Sequence, residues 1–99
     1  MPERARIEIF TMFYAYVLMS QKDKQFYIGY TRDLNARFAE HQRGLVQSTA
    51  HRRPLTLVYF EACLHEQDAI LREKYFKMGF GRRFLRNRIT NYLGEEIRN

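Results

Sequence analysis

Two runs of strand-forming residues set close together, Phe13–Met19 and Phe26–Thr31, constrain this chain more than any other feature of its sequence. Both are aromatic, aliphatic or β-branched at nearly every position, and only the polar stretch Ser20–Gln25 separates them. Runs of that kind joined by a short polar link close as a β-hairpin. A third run, Leu55–Ala62, follows Pro54, which keeps Arg53 out of helical geometry, and it predicts a third strand. Helical signals fill the gaps. Asp33 is an N-cap for a helix of about ten residues that ends near Gly44, a residue suited to a left-handed C-terminal position. Leu45–Pro54 reads as a basic loop. Glu66 and Asp68 open a second helix, where acids suit the positive end of the macrodipole, and it stops near Gly79. A third, strongly basic helix is expected from about Arg82 to Tyr92. Residues 1–11 read as an N-terminal extension, 12–94 as the folded domain and 95–99 as a C-terminal tail.

The length fits one domain with one core: 99 residues, 45% of them hydrophobic. Lys and Arg number 17 against 11 acids, a net charge of +6, so the partner class is polyanionic, nucleic acid or an acidic membrane surface. No apolar run approaches the roughly 20 residues that a membrane span needs, so the expected setting is the cytoplasm. Cys63 is the only cysteine, which excludes an internal disulfide and a cysteine zinc site.

Five polar residues then stand out. On the first helix the apolar stripe through Leu34, Phe38 and Leu45 passes through Arg37 and His41, which either snorkel to its edge or do chemistry. Glu73 borders the apolar surface of the second helix, and its bland reading is an exposed acid paired with Lys77 four residues on. Tyr16 and Tyr27, taken singly, serve equally well as core aromatics.

Tyr14-Ala15-Tyr16 and, eleven residues after Tyr16, Tyr27-Ile28-Gly29 resemble the two signature tripeptides of the GIY-YIG nuclease superfamily. The second is matched in full; in the first only Tyr16 carries over. Arg37, ten residues after Tyr27, and His41, one turn later, are similar to the family's helical arginine and histidine. The run Arg37–Gly44, the run Arg52-Arg53-Pro54-Leu55 and the pair Arg72-Glu73 are similar to the small stand-alone members. The resemblance spans about residues 12–90. It implies an α+β fold, a three-stranded antiparallel sheet flanked by three helices with the site on one sheet face, which agrees with the order of elements read from the pattern. Two departures stand beside it: Tyr30 replaces a lysine some members carry after this tripeptide, and Leu85 stands twelve after Glu73 where several keep an asparagine.

The implied activity is a DNA endonuclease that hydrolyses phosphodiester bonds in single-stranded, branched or damaged DNA. Such chemistry needs an activated water and charge neutralisation at a crowded phosphorane. Glu73 is the expected ligand of one hydrated Mg²⁺ or Mn²⁺, because an ion of this kind keeps most of its waters. Arg37 would clamp nonbridging oxygens with its planar fork. Tyr16 is the expected base, Tyr27 a positioning hydroxyl, and His41 shares the proton relay or orients Tyr16. Which tyrosine takes which role stays open. Nucleic-acid contact is expected from Gly29, Tyr30, Thr31, Arg32, Arg52, Arg53, Lys77, Arg82 and Arg83, with specificity supplied by a second copy or a partner protein. The rival reading is a nucleic-acid-binding module of the same fold with little or no catalysis.

Overall fold

The computed structural model describes residues 11–98, with the side chains of 97 and 98 aside; the expected extension over 1–11 falls outside it except for Thr11. Strands β1 (Phe13–Ser20), β2 (Phe26–Thr31) and β3 (Leu55–Cys63) form one antiparallel sheet in the order β2-β1-β3. The centre goes to β1 because it is apolar on both faces, and Ala15–Met19 are all buried. The polar link is an ordered loop: Ser20 Oγ accepts from Lys22 N and Asp23 N and donates to Arg52 O at 2.7 Å.

Alternation divides β1 between two layers. Ala15 and Val17, with Ile28 of β2, pack against Phe76 and Leu85 on one face. Tyr16 and Leu18, with Leu55, pack against Leu34, Phe38 and Tyr27 on the other. Between Val17 and Leu18 the register with β3 slips: Val17 opposes Tyr59 and Leu18 opposes Leu57, so Val58 is the extra residue of a bulge.

Helix α1 (Leu34–Gln42) covers the tyrosine face. It starts where Asp33 accepts from Ala36 N at 3.0 Å and is followed by Gly44 at φ +77°, both as the sequence predicts. The chain then turns through Val46–Thr49 into a 3₁₀ turn, Ala50–Arg52.

Helix α2 (Glu66–Phe76) lies on the opposite face. Arg72 pins it there, with two hydrogen bonds to Glu61 of β3 (2.7 and 3.0 Å) and its guanidinium 4.8–5.3 Å from the ring centres of Tyr75, Phe76 and Phe84. One expectation needs correction. The described residues form four α-helices where three were expected, because the basic stretch is two helices, α3 (Gly79–Arg88) and α4 (Thr90–Arg98). Ile89 breaks the run at φ −116°, ψ 33°. Residues 95–98, read from sequence as a tail, continue α4. Helix α3 begins at Gly79 rather than Arg82, and within its first turn Gly81 passes so close to α2 that a Cβ there would collide with the Tyr75 carbonyl. No described helix is long and apolar enough to cross a membrane.

Candidate active site

Strand pairing builds the first half of the site. Tyr16 lies opposite Gly29, and its ring folds over that residue, where a Cβ would collide with Tyr16 Cζ and Oη. The glycine of the second tripeptide is therefore the floor on which Tyr16 rests. Tyr27 pairs with Leu18 and so shares the face of Tyr16; the two rings are 6.4 Å apart. Helix α1 supplies the lid. His41 is its one fully buried residue, with Nε2 2.8 Å from Tyr16 Oη and its ring 5.1 Å from that of Tyr27. On the far side of the imidazole, Nδ1 meets Thr49 Oγ1 at 2.7 Å.

Arg37 sits one turn before His41, partly exposed and paired with Glu40 at 3.1 Å. Glu73 comes from α2 on the other layer, paired with Lys77 at 3.2 Å, and its side chain is 21% exposed. Successive helical residues point about 100° apart, so the Arg72 anchor on β3 fixes the direction in which Glu73 projects. The electrostatics tie these groups together. Burial, with the neighbouring Tyr27 and Glu73, pushes the Tyr16 phenol up to about 12, while the Arg37 guanidinium opposes the rise. Burial and then the Arg37 charge hold His41 below the ordinary 6.5, with Glu40 opposing. At neutral pH the pair is a protonated phenol beside a neutral imidazole.

Four sequence-predicted residues, Tyr16, Tyr27, Arg37 and His41, thus meet on one face, and Glu73 lies near enough for its charge to act on Tyr16. The residues expected to touch nucleic acid are more dispersed. The Tyr30 hydroxyl donates to Glu66, which also pairs with Arg32 at 3.1 Å, so these three tie the end of β2 to the start of α2. Thr31 closes a local turn with Asp33. Arg52 holds Asp23 and the Gln25 carbonyl across the hairpin loop, and Arg53 donates to the Ala50 and Gln42 carbonyls against Gly44. Lys77 is paired with Glu73. Arg82 donates to the Lys77 carbonyl and Arg83 lies over Phe80, and among the described residues neither meets an acid. Leu85 is fully buried among apolar neighbours.

Thr49 is the site neighbour that the sequence does not announce. It lies in an aperiodic loop read as basic DNA-contacting surface, and only the fold brings it to His41.

For a metal the donor set is lean: among the described residues no three His, Cys, Asp or Glu side chains gather around one point. Glu73 alone suits an ion that keeps its waters and takes one carboxylate beside substrate phosphate, and does not suit a caged zinc or calcium.

A family model described as the GIY-YIG catalytic domain matches residues 12–93. The chain belongs to the GIY-YIG family. That is a family of nucleases, whose members generally act on DNA with a divalent metal ion. Curated relatives carry the UPF0213 name. One from Lacticaseibacillus paracasei is 41% identical over 66 residues, 66% of this chain and 73% of its own length. Another, from Pediococcus pentosaceus, is 39% identical over 72 residues, 72% of this chain and 75% of the relative. A third, from Streptococcus pyogenes, is 40% identical over 65 residues, 65% and 70% of the two chains. No solved structure matches the chain.

Proposed function

We propose that this GIY-YIG domain is a divalent-metal-dependent endonuclease that hydrolyses phosphodiester bonds in single-stranded, branched or damaged DNA. The observation that carries the reading is the 2.8 Å contact between a buried phenol and a buried imidazole, with Arg37 beside them. A phenol pushed up to about 12 is protonated at pH 7, so its own proton needs an acceptor before it can serve as the base. The pair removes that obstacle. As water attacks phosphorus, its proton passes to Tyr16 Oη while the Tyr16 proton passes to His41 Nε2, leaving a neutral phenol and an imidazolium. The P–O3′ bond breaks, the departing oxygen takes a proton from solvent, and His41 returns its own.

Arg37 exchanges Glu40 for nonbridging phosphate oxygens and stabilises the charge that builds on them. Tyr27 orients the attacking water. Glu73 would hold Mg²⁺ or Mn²⁺, which when bound neutralises phosphate charge. Arg82 and Arg83 are the best-placed contacts to flanking phosphates, since their charges are unspent on acids among the described residues. Choice of cutting site rests on DNA shape, a second copy or a partner protein, and the cytoplasm is the expected setting.

Cleavage of labelled single-stranded, duplex and branched DNA, with Mg²⁺, Mn²⁺ or EDTA, tests this in the wild type, Glu73→Ala and Arg37→Ala. Cutting that needs metal and disappears in both variants is the expected result. Binding without cutting on every substrate would replace the nuclease with a nucleic-acid-binding module.

A further inference from the structure

The imidazole of His41 is held from both sides, and the two hydrogen bonds decide which of its nitrogens carries the proton. Three hydrogens must be placed along Tyr16 Oη, His41 Nε2, His41 Nδ1 and Thr49 Oγ1, spaced 2.8 and 2.7 Å. In one arrangement Tyr16 donates to Nε2, Nδ1–H donates to Thr49, and the Thr49 hydroxyl turns to the Val46 carbonyl, 3.5 Å away. Every hydrogen then has an acceptor. In the reverse arrangement Thr49 donates to Nδ1 and Nε2–H donates to Tyr16, which leaves the Tyr16 hydroxyl hydrogen with none among the described residues. Tyr16 is 1% exposed, so an unpaired hydroxyl hydrogen there would lose water without gaining an acceptor.

We propose that Thr49 is a positioning residue that holds His41 in the Nδ1–H form, so that Nε2 faces Tyr16 as a proton acceptor. The architecture around Thr49 serves this placement. Gly44 at φ +77° reverses the chain after α1, Thr49 N donates to Val46 O at 3.1 Å, and both Val46 and Thr49 are buried, so the hydroxyl is fixed over the imidazole. During the proton transfer the Tyr16 O–H bond breaks and an Nε2–H bond forms. The resulting imidazolium keeps its Nδ1–H on Thr49 Oγ1, so its second charge-bearing edge is satisfied without movement. In the opposite tautomer Nε2 already carries hydrogen, and Tyr16 has nowhere to send its proton.

The catalytic consequence rests on the nuclease reading; the tautomer itself does not. The first test is therefore a proton–nitrogen correlation spectrum of ¹⁵N-histidine-labelled wild-type protein, which distinguishes protonated from bare ring nitrogens. His41 is expected with Nδ1 protonated and Nε2 bare at pH 7.5, and the Nε2–H form would overturn the proposal whether or not the protein cuts DNA. Thr49→Val, of nearly the same shape, should move His41 to the Nε2–H form and lower kcat about 10²-fold at unchanged KM, the low end of what a proton-transfer partner supplies. Thr49→Ser should restore both. A Thr49→Val protein that keeps the Nδ1–H form, or a Thr49→Ser protein that stays slow, would show that the threonine merely fills space. Should Thr49→Val fail to fold, the wild-type spectrum and Thr49→Ser still decide.

Discussion

The two faces of the sheet are built on opposite principles although they share one central strand. Behind β1, Ala15, Val17, Ile28, Phe76 and Leu85 make a layer whose buried side chains are all apolar, extended by the stacked ring of Phe84 and closed at its edge by the Arg72–Glu61 pair. In front, the same strand buries Tyr16 against His41 and Thr49, so hydroxyl and imidazole groups occupy space that leucine or phenylalanine would fill at less risk. The difference teaches where stability and chemistry reside. The rear layer is built for packing, while the front layer combines its own apolar residues Leu18, Leu55, Leu34 and Phe38 with polar atoms held in one arrangement. Arg72 links the two, because it locks α2 to the apolar layer and so sets the direction of its neighbour Glu73, the proposed metal ligand.

The largest effect expected from breaking this division is on the apolar side. Phe76→Ala removes the ring on which α2 and α3 converge and should cost about 3–5 kcal/mol, most of the stability of a domain this small, read as a fall in the denaturant midpoint. A loss under about 1 kcal/mol would mean that this layer is not the stabilising one.

On the front side the effect should appear in rate rather than stability. Tyr16→Phe should lower kcat about 10²–10⁴-fold, yet shift stability by only about 1–3 kcal/mol as His41 Nε2 loses its partner. Equal damage to both quantities would merge the two roles assigned to the two faces.

The pH dependence sharpens the comparison further. The His41 value is held below the ordinary 6.5 in the folded protein, so the unfolded chain takes up the proton first as pH falls. Its contribution to stability is therefore present above about pH 6.5 and is lost as pH falls through the lower folded value. The relay requires neutral His41, so the cleavage rate should climb through that same folded value and then stay level to pH 9. A rate that instead rises tenfold per pH unit above 7 would indicate a free phenolate and no role for His41 as acceptor.

Smallest of all is the expected effect of Arg32→Gln. Its pair with Glu66 is exposed and screened by solvent, so stability should barely change and DNA affinity should stay close to the wild type, because this charge already faces an acid. A large fall in DNA binding with unchanged stability would return Arg32 to the contact surface.

The strands and α1 were legible in the sequence because period, N-cap and glycine all pointed the same way: Asp33 caps α1, and Gly44 follows it with the positive φ its position requires. Tyr16, Tyr27, Arg37, His41 and Glu73 were singled out mainly by the resemblance, since each alone also had an ordinary reading as core aromatic, snorkelling side chain or exposed ion pair; of the five, Tyr16 and His41 are the ones the fold buries. The break at Ile89 could not be read, because no Gly or Pro marks it. Nor could the fate of the basic residues: Arg32, Arg52 and Arg53 look like free surface charge until the chain folds and places Glu66, Asp23 and backbone carbonyls beside them. Thr49 shows the limit most sharply. The sequence by itself placed His41 on the apolar stripe of α1, but its burial, and which atom waits at its other nitrogen, depend on a loop that crosses from Gly44 to Pro54, and loops carry no period from which a contact can be read.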